Sequence, residues 1–357
     1  MPPLSSLTTF LFGSAVGMTL GVVTATLVFF FFSPADDSSD SFAPPPVPPF
    51  MRWLDEVRAD ARTHGIREAT LTQALADIHA PNAAILKAYN NQPEYTLTLA
   101  TYLKRVVDPQ RIAEGKRLAK KHAPLLQALE ERFSVPRHVL LAFWGAESDF
   151  GSYQGRHAIV PALISLAYGS RRQQFYRKQL IESLKIIDAG HASMEGMKGS
   201  WAGAMGQVQF IPSTYNAYAI DYDQDGDKDI WQDIGDALAS AANLLRQLGW
   251  RDNESWGKEV ILPDKFKKAW AGRQPDKWRT IEQWHKLGVR PKQPNGQTQD
   301  TTTDTLPASQ QKAAIILPER KSRRAFMVYA NFNTILLWNR SDYFGIAIGM
   351  LSDSFQP

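Results

Sequence analysis

Glu147 is the side chain whose setting most invites acid–base chemistry. It stands in VLLAFWGAESDFG, residues 139–151, four positions after Phe143 and seven after Leu140. At about 3.6 residues per turn, that spacing puts it on the apolar stripe of a helix rather than on a solvated side. An anionic carboxylate loses hydration there, so its pKa is expected to rise. A carboxyl of that kind can protonate a departing glycosidic oxygen near neutral pH. A buried structural glutamate paired with an arginine is the competing reading of this segment by itself. Asp149 lies two residues on and faces elsewhere on the helix, which makes it a poor second catalyst.

Two further stretches carry ligand chemistry. The segment 199–215 reads GSWAGAMGQVQFIPSTY. Its glycines and alanines leave little side chain between Trp201 and Phe210, so backbone can approach a ligand closely. Gln207 and Gln209 supply amide groups there. An aspartate-rich loop follows, with Asp221, Asp223, Asp225, Gly226, Asp227 and Asp229 in the D-x-D-x-D-G order of an EF-hand loop. Carboxylates at alternate positions wrap a hard cation, and Gly226 allows the sharp turn. The twelfth position is Gln232 instead of the usual glutamate, so Asp233 or Asp236 must complete the shell. The expected cofactor is a structural Ca²⁺ held within 221–236; a solvated acidic turn is the alternative.

Other chemistries are excluded or unsupported. There is no cysteine, which rules out disulfides, thiolate metal sites and a cysteine nucleophile. The seven histidines form no HxxxH pair suited to zinc. No phosphate loop or dinucleotide fingerprint is present, and no nucleic-acid partner is expected. The first 50 residues hold three aspartates and no Lys or Arg, so the body from residue 51 carries +7 against +4 for the chain. That balance suits an anionic polymer or surface.

The elements that must hold these groups are mainly helical. Apolar residues recur at helical spacing over Met51–Thr63, Ile66–Ile78, Arg111–Phe133 and Gln173–Asp188, and over Asp236–Leu248 ahead of Gly249. Pro136 and Gly151 bracket the Glu147 helix. Strand signals are few: Ala313–Leu317 and Ala325–Tyr329 are short apolar runs that could pair. The polar segment Asn295–Gln311 reads as a loop. No internal repeat is visible.

Four stretches occur together in one order: GAESDFG around Glu147, GSWAGAMGQVQFIPSTY, the 221–231 acidic loop and NFNTILLWNRSDY at 331–343. In this the chain resembles the membrane-bound lytic murein transglycosylase B family over roughly residues 51–348. The resemblance implies a lysozyme-like, mainly α fold (α+β, with a small β element) and a deep substrate cleft. It implies a carbon–oxygen lyase that cleaves the MurNAc–GlcNAc β-1,4 bond of peptidoglycan without water, leaving 1,6-anhydro ends. By position, Glu147 would be acid and then base. Arg171 and Arg172, Ser200, Gln209 and Asn339 would contact the glycan or its peptide, and Asp236 would close the calcium shell. A hydrolytic muramidase and a non-catalytic peptidoglycan-binding scaffold are the alternatives.

The N-terminal region reads separately. Residues 7–32 carry no charge and end in VFFFF. Twenty-six residues at about 1.5 Å each exceed the hydrocarbon core of a bilayer, about 30 Å. The expected organisation is a short N-terminus (1–6), a single transmembrane helix (7–32), a Pro/Ser/Asp-rich linker (33–50) and the catalytic body (51–357). Ser33-Pro34-Ala35 is a weak match to a signal cleavage site. Gly13, Gly17 and Gly21 form a small-residue face that could pair two such helices, leaving oligomeric state open. The expected location is the inner membrane of a Gram-negative bacterium with the body in the periplasm, where glycan strands and cell-wall synthesis or division proteins are candidate partners.

Overall fold

The computed structural model describes residues 49–91, 97–292, 310–319 and 323–356. The expected membrane helix 7–32, nearly all of the linker 33–50 and the loop 295–311 up to its last two residues lie outside the described residues. Among the described residues, no helix is long and apolar enough to cross a membrane.

In chain order the helices begin with α1 Phe50–Thr63, α2 Glu68–Leu75, α3 Ala83–Asn90, α4 Leu99–Val106, α5 Pro109–Lys121, α6 Ala123–Phe133 and α7 Arg137–Ser148. Strand β1 His157–Ala158 leads into α8 Ile159–Gly169 and α9 Gln173–Asp188, followed by β2 Lys198–Gly199, α10 Pro212–Tyr218 and α11 Ile234–Gln247. The remainder is β3 Gly257–Ile261, β4 Arg279–Thr280, α12 Ile281–Lys286, β5 Arg290–Pro291, β6 Lys312–Ile316, β7 Ala325–Val328, α13 Ala330–Trp338 and α14 Asp342–Asp353. The chain is thus mainly helical with a small sheet.

It divides into two compact units. The first holds the described residues 49–91 and 143–241. Its centre is α8, buried from Ile159 to Val160 and from Ala162 to Ala167, packed on α9 and α3. α1 adds Trp53, Leu54, Val57 and Ala61 at helical spacing, and Phe50 and Trp53 meet Tyr168 edge-on at 5.1 and 5.3 Å. The Asn82 side chain caps α3 by accepting from Ala84 and Ile85 N–H.

The second unit holds the described residues 97–142, 242–292, 310–319 and 323–356. Its sheet has the order β4-β6-β7-β3-β5, antiparallel throughout. The pairing expected of the two apolar runs is present, with Ile315 opposite Met327. β3 was not anticipated: Lys258 and Glu259 interrupt its apolar pattern. Beneath the sheet Val260, Trp284, Ile315, Met327 and Tyr329 form one apolar cluster. Thr280 and Gln283 make a reciprocal capping box that starts α12.

The single helix expected over Arg111–Phe133 is two helices, α5 and α6, with the break at His122. Pro124 has no N–H to donate and its ring excludes a helical carbonyl four residues back. α5 also starts earlier than expected, because Asp108 accepts from Gln110 and Arg111 N–H at 2.9 and 3.1 Å ahead of Pro109.

Candidate active site and acidic loop

α7 is buried on every side from Val139 to Ser148. The apolar stripe expected from spacing is therefore a complete jacket, and Glu147, 2% exposed, is the sole acidic residue in that helix. The helix closes through three successive left-handed residues, Asp149 (φ 50°), Phe150 (φ 58°) and Gly151 (φ 82°). A non-glycine residue in that region costs about 1–2 kcal/mol, so the turn needs tertiary support.

Ser148 and Gln207 supply it. The Ser148 hydroxyl donates to the Gln207 carbonyl at 2.5 Å and accepts the Gly151 N–H at 2.8 Å. The Trp144 indole N–H donates to Gln207 Oε1 at 3.0 Å, and Gln207 Nε2 donates to the Trp231 carbonyl at 3.2 Å. A Cβ at Gly151 would lie 2.6 Å from Gln207 Oε1, so this position is glycine for space as well as for φ.

The glycine-rich loop is built around β1 and β2, where His157 pairs Gly199 and Ala158 pairs Lys198. Bridges Gly199–Met205 and Met205–Phe210 fold it back on itself. Ser200 is 1% exposed; its N–H donates to the Ala204 carbonyl at 2.7 Å and its Oγ accepts the Ala204 N–H at 3.0 Å, which leaves the hydroxyl hydrogen able to donate. Gln209, at φ 51°, gives both amide hydrogens to backbone, to Gln154 O at 3.0 Å and Gly206 O at 2.8 Å. A ligand would meet its Oε1.

Gln207 differs from the expectation of a substrate handle. Both ends of its amide are taken up by Trp144 and Trp231, so the residue braces the loop. Arg171 is exposed, whereas Arg172 is half-buried with its guanidinium 4.3 Å from the Phe175 ring centroid. Burial pulls the Arg172 pKa below the ordinary arginine range, opposed by Tyr176 and Tyr89; an arginine stays cationic regardless. Glu147, Arg171, Arg172, Ser200, Gln207 and Gln209 fall in the first unit. Asn339 belongs to the second, buried at the end of α13 with its Oδ1 accepting the Ser341 N–H at 3.1 Å. The bracing roles of Trp144, Ser148 and Trp231 were not read from sequence.

Of the six aspartates expected at the metal site, the structure gathers three: Asp221, Asp223 and Asp236 each offer an oxygen, all within 4.8 Å of one another. Asp225 and Asp229 fall outside that group and accept backbone N–H groups of the loop. Asp225 Oδ1 accepts the Asp227 N–H at 3.1 Å, and Asp229 Oδ1 accepts the N–H groups of Trp231 and Gln232 at 2.7 and 2.8 Å. Asp227 falls outside the group as well; its position in an EF-hand contributes a backbone carbonyl rather than a side chain. Gln232 is exposed and outside this group, whereas Asp236 is buried and within it.

The cluster fits a hard cation. Asp221 Oδ1 and Asp227 Oδ1 are buried without a hydrogen-bond partner. Burial pushes the Asp236 carboxyl up to about 6, although Oδ1 accepts the Tyr222 N–H at 2.6 Å and Oδ2 the Asp229 N–H at 2.7 Å. Burial, with Asp225 and Asp229 close by, raises Asp227 as well. Crowded, poorly solvated carboxylate oxygens are the donor set that Ca²⁺ takes.

The chain matches the family described as Transglycosylase SLT domain over residues 49–353. It is 26% identical over 259 residues to the membrane-bound lytic murein transglycosylase B of Escherichia coli (strain K12), covering 71% of this chain and 66% of that protein, just under two thirds of its length. It is similar to SltB3 from Pseudomonas aeruginosa solved with NAG-NAM-pentapeptide, at TM-score 0.79 and 38% identity over 86% of this chain and 80% of that one. The Escherichia coli lytic transglycosylase Slt35, solved with calcium, shares the fold at TM-score 0.69 and 23% identity, over 87% and 93% of the two chains.

Proposed function

This chain belongs to the Transglycosylase SLT domain family of lytic transglycosylases, and from that membership we propose that it cleaves the MurNAc–GlcNAc β-1,4 bond of peptidoglycan without water. The observation that carries the reading is Glu147: the one acidic residue of a buried, apolar helix, at the turn that Ser148 and Gln207 lock to the glycine-rich loop. In this cycle Glu147 starts as the neutral acid and protonates the bridging oxygen. As the C1–O bond breaks, the substrate's N-acetyl group stabilises the cationic carbon. The C6 hydroxyl oxygen then bonds to C1 and passes its proton to Glu147, which restores the acid. One carboxyl serves both halves, whereas hydrolysis ordinarily uses two. Ser200, Gln209 Oε1, Arg171, Arg172 and Asn339 are assigned to the glycan or its peptide.

The loop 221–236 is assigned Ca²⁺, held by Asp221, Asp223 and Asp236; the ion would neutralise the crowded carboxylates and brace the fold. Residues 7–32 are assigned as a single inner-membrane helix and 33–50 as the linker that holds the body in the periplasm.

Digestion of purified sacculi with product mass analysis tests the reaction. Non-hydrolytic cleavage gives products one water lighter than a muramidase gives. Glu147→Gln is expected to lower turnover by at least about 10²–10⁴-fold with the melting temperature preserved. Products carrying the added water, or a Glu147→Gln enzyme of unchanged rate, would overturn the assignment.

A further inference from the structure

The second unit contains an open pocket of about 550 Å³ lined by residues given no role above. Lys268 and Arg273 come from the segment after β3, Ile316 and Leu317 from the end of β6, and Asp342 opens α14. Its walls are fixed by hydrogen bonds to backbone carbonyls: Gly272 N–H donates to Ile315 O at 2.8 Å, and the Trp278 indole donates to Arg273 O at 3.1 Å.

The charges are unbalanced. Arg273 Nη2 lies 3.2 Å from Asp342 Oδ1, which engages one arm of the guanidinium and leaves further N–H donors. Lys268 is exposed on the rim. Two cations therefore face one carboxylate. Asp342 Oδ1 is buried and, beyond the 3.2 Å ion pair with Arg273, has no hydrogen-bond partner among the described residues, so an N–H donor would complete it; burial also pushes the carboxyl up. The pocket thus asks for an anion, a hydrogen-bond donor beside it and a small apolar group against Ile316 and Leu317. A peptide C-terminus carries those three features within one residue.

We propose that this pocket binds the carboxylate end of a short peptide. Arg273 and Lys268 take the carboxylate, Asp342 accepts a peptide N–H, and Ile316 with Leu317 faces a small side chain. On the function proposed above, the natural source is the peptide stem of a glycan strand; the binding chemistry stands independently of cleavage.

Calorimetric titration of the full chain in detergent micelles with N-acetyl-D-alanyl-D-alanine, its C-terminal carboxamide and inorganic phosphate tests the proposal. The free acid should bind at least about tenfold more tightly than the carboxamide, a gap of about 1.4 kcal/mol, and more tightly than phosphate. Lys268→Gln, at an exposed position, and Arg273→Gln should each weaken the acid with unchanged melting temperature. Glu147→Gln should bind as the wild type does. Equal binding of acid and carboxamide, equal binding of phosphate, no detectable binding, or an affinity indifferent to Lys268→Gln would each overturn it. A chain that binds the dipeptide but does not cut glycan would sink only the catalytic assignment; the converse would sink only this one.

Discussion

The hydroxyl of Ser148 donates to the backbone carbonyl of Gln207 at 2.5 Å while accepting the N–H of Gly151 at 2.8 Å. The residue beside the candidate acid therefore joins the end of α7 to the glycine-rich loop. Ser148→Ala would strand a buried carbonyl and a partly buried N–H. We expect a loss of about 1–3 kcal/mol in unfolding free energy, measured by urea denaturation. The rate should fall further than stability alone predicts, because the turn after Glu147 loses its support. A Ser148→Ala protein of wild-type midpoint would mean that the bond contributes nothing.

Gly65 and Gly155 offer a matched pair. Both are left-handed, at φ 80° and 87°. A Cβ at Gly65 meets nothing within 4 Å, whereas one at Gly155 would lie 2.1 Å from Gly199 O. Gly65→Ala should cost only the backbone term, about 1–2 kcal/mol. Gly155→Ala should also part β1 from β2, with a much larger loss of midpoint and of lysis. Denaturation midpoints of equal shift in the two variants would remove the close approach as the cause.

Calcium should raise the melting temperature of the full chain, and EDTA should reverse the gain. At a hundredfold excess over Kd, a bound ion adds about 2.7 kcal/mol. Asp223 is exposed and accepts the Asp225 N–H at 3.3 Å. Asp223→Ala, which removes the side-chain oxygens, should therefore abolish the calcium response with little effect on the metal-free midpoint. A calcium response that survives in Asp223→Ala would place the ion elsewhere.

Acid should destabilise the chain through its histidines. Burial holds His138, His157 and His285 below the ordinary value of 6.5. The unfolded chain then binds more protons than the folded one below that pH, so stability rises with pH. The contribution is complete above pH 6.5 and is lost as pH falls below it. Melting temperatures between pH 7.5 and 5 should show the decline, and His138→Gln should flatten part of it. A curve flat across that window would contradict the burial argument.

Much of the fold is legible along the chain because helical spacing is a local property. α9 runs over Gln173–Asp188 as its periodicity indicates, and β6 with β7 coincides closely with the two apolar runs. The break at His122 was also legible, since Pro124 marks it; the apolar pattern running through the proline masked it. What sequence conceals is non-local. The role of Gln207 depends on Trp144, 63 residues earlier, and a glutamine with both amide ends engaged looks in sequence like one free for a ligand. β3 lies between β7 and β5 in the sheet, a neighbourhood that no stretch of five residues can announce. The burial of Glu147 was anticipated, although the helix around it is apolar on all sides rather than on one.

Asp236 grips the acidic loop near both of its ends, through Tyr222 N–H on one oxygen and Asp229 N–H on the other. Such a clasp shapes the ring of oxygens in advance, so an arriving ion spends little on ordering it and should be captured quickly and tightly. Because the same carboxylate lies in the first turn of α11, a cation taken up by the ring would be tied directly to the start of that helix.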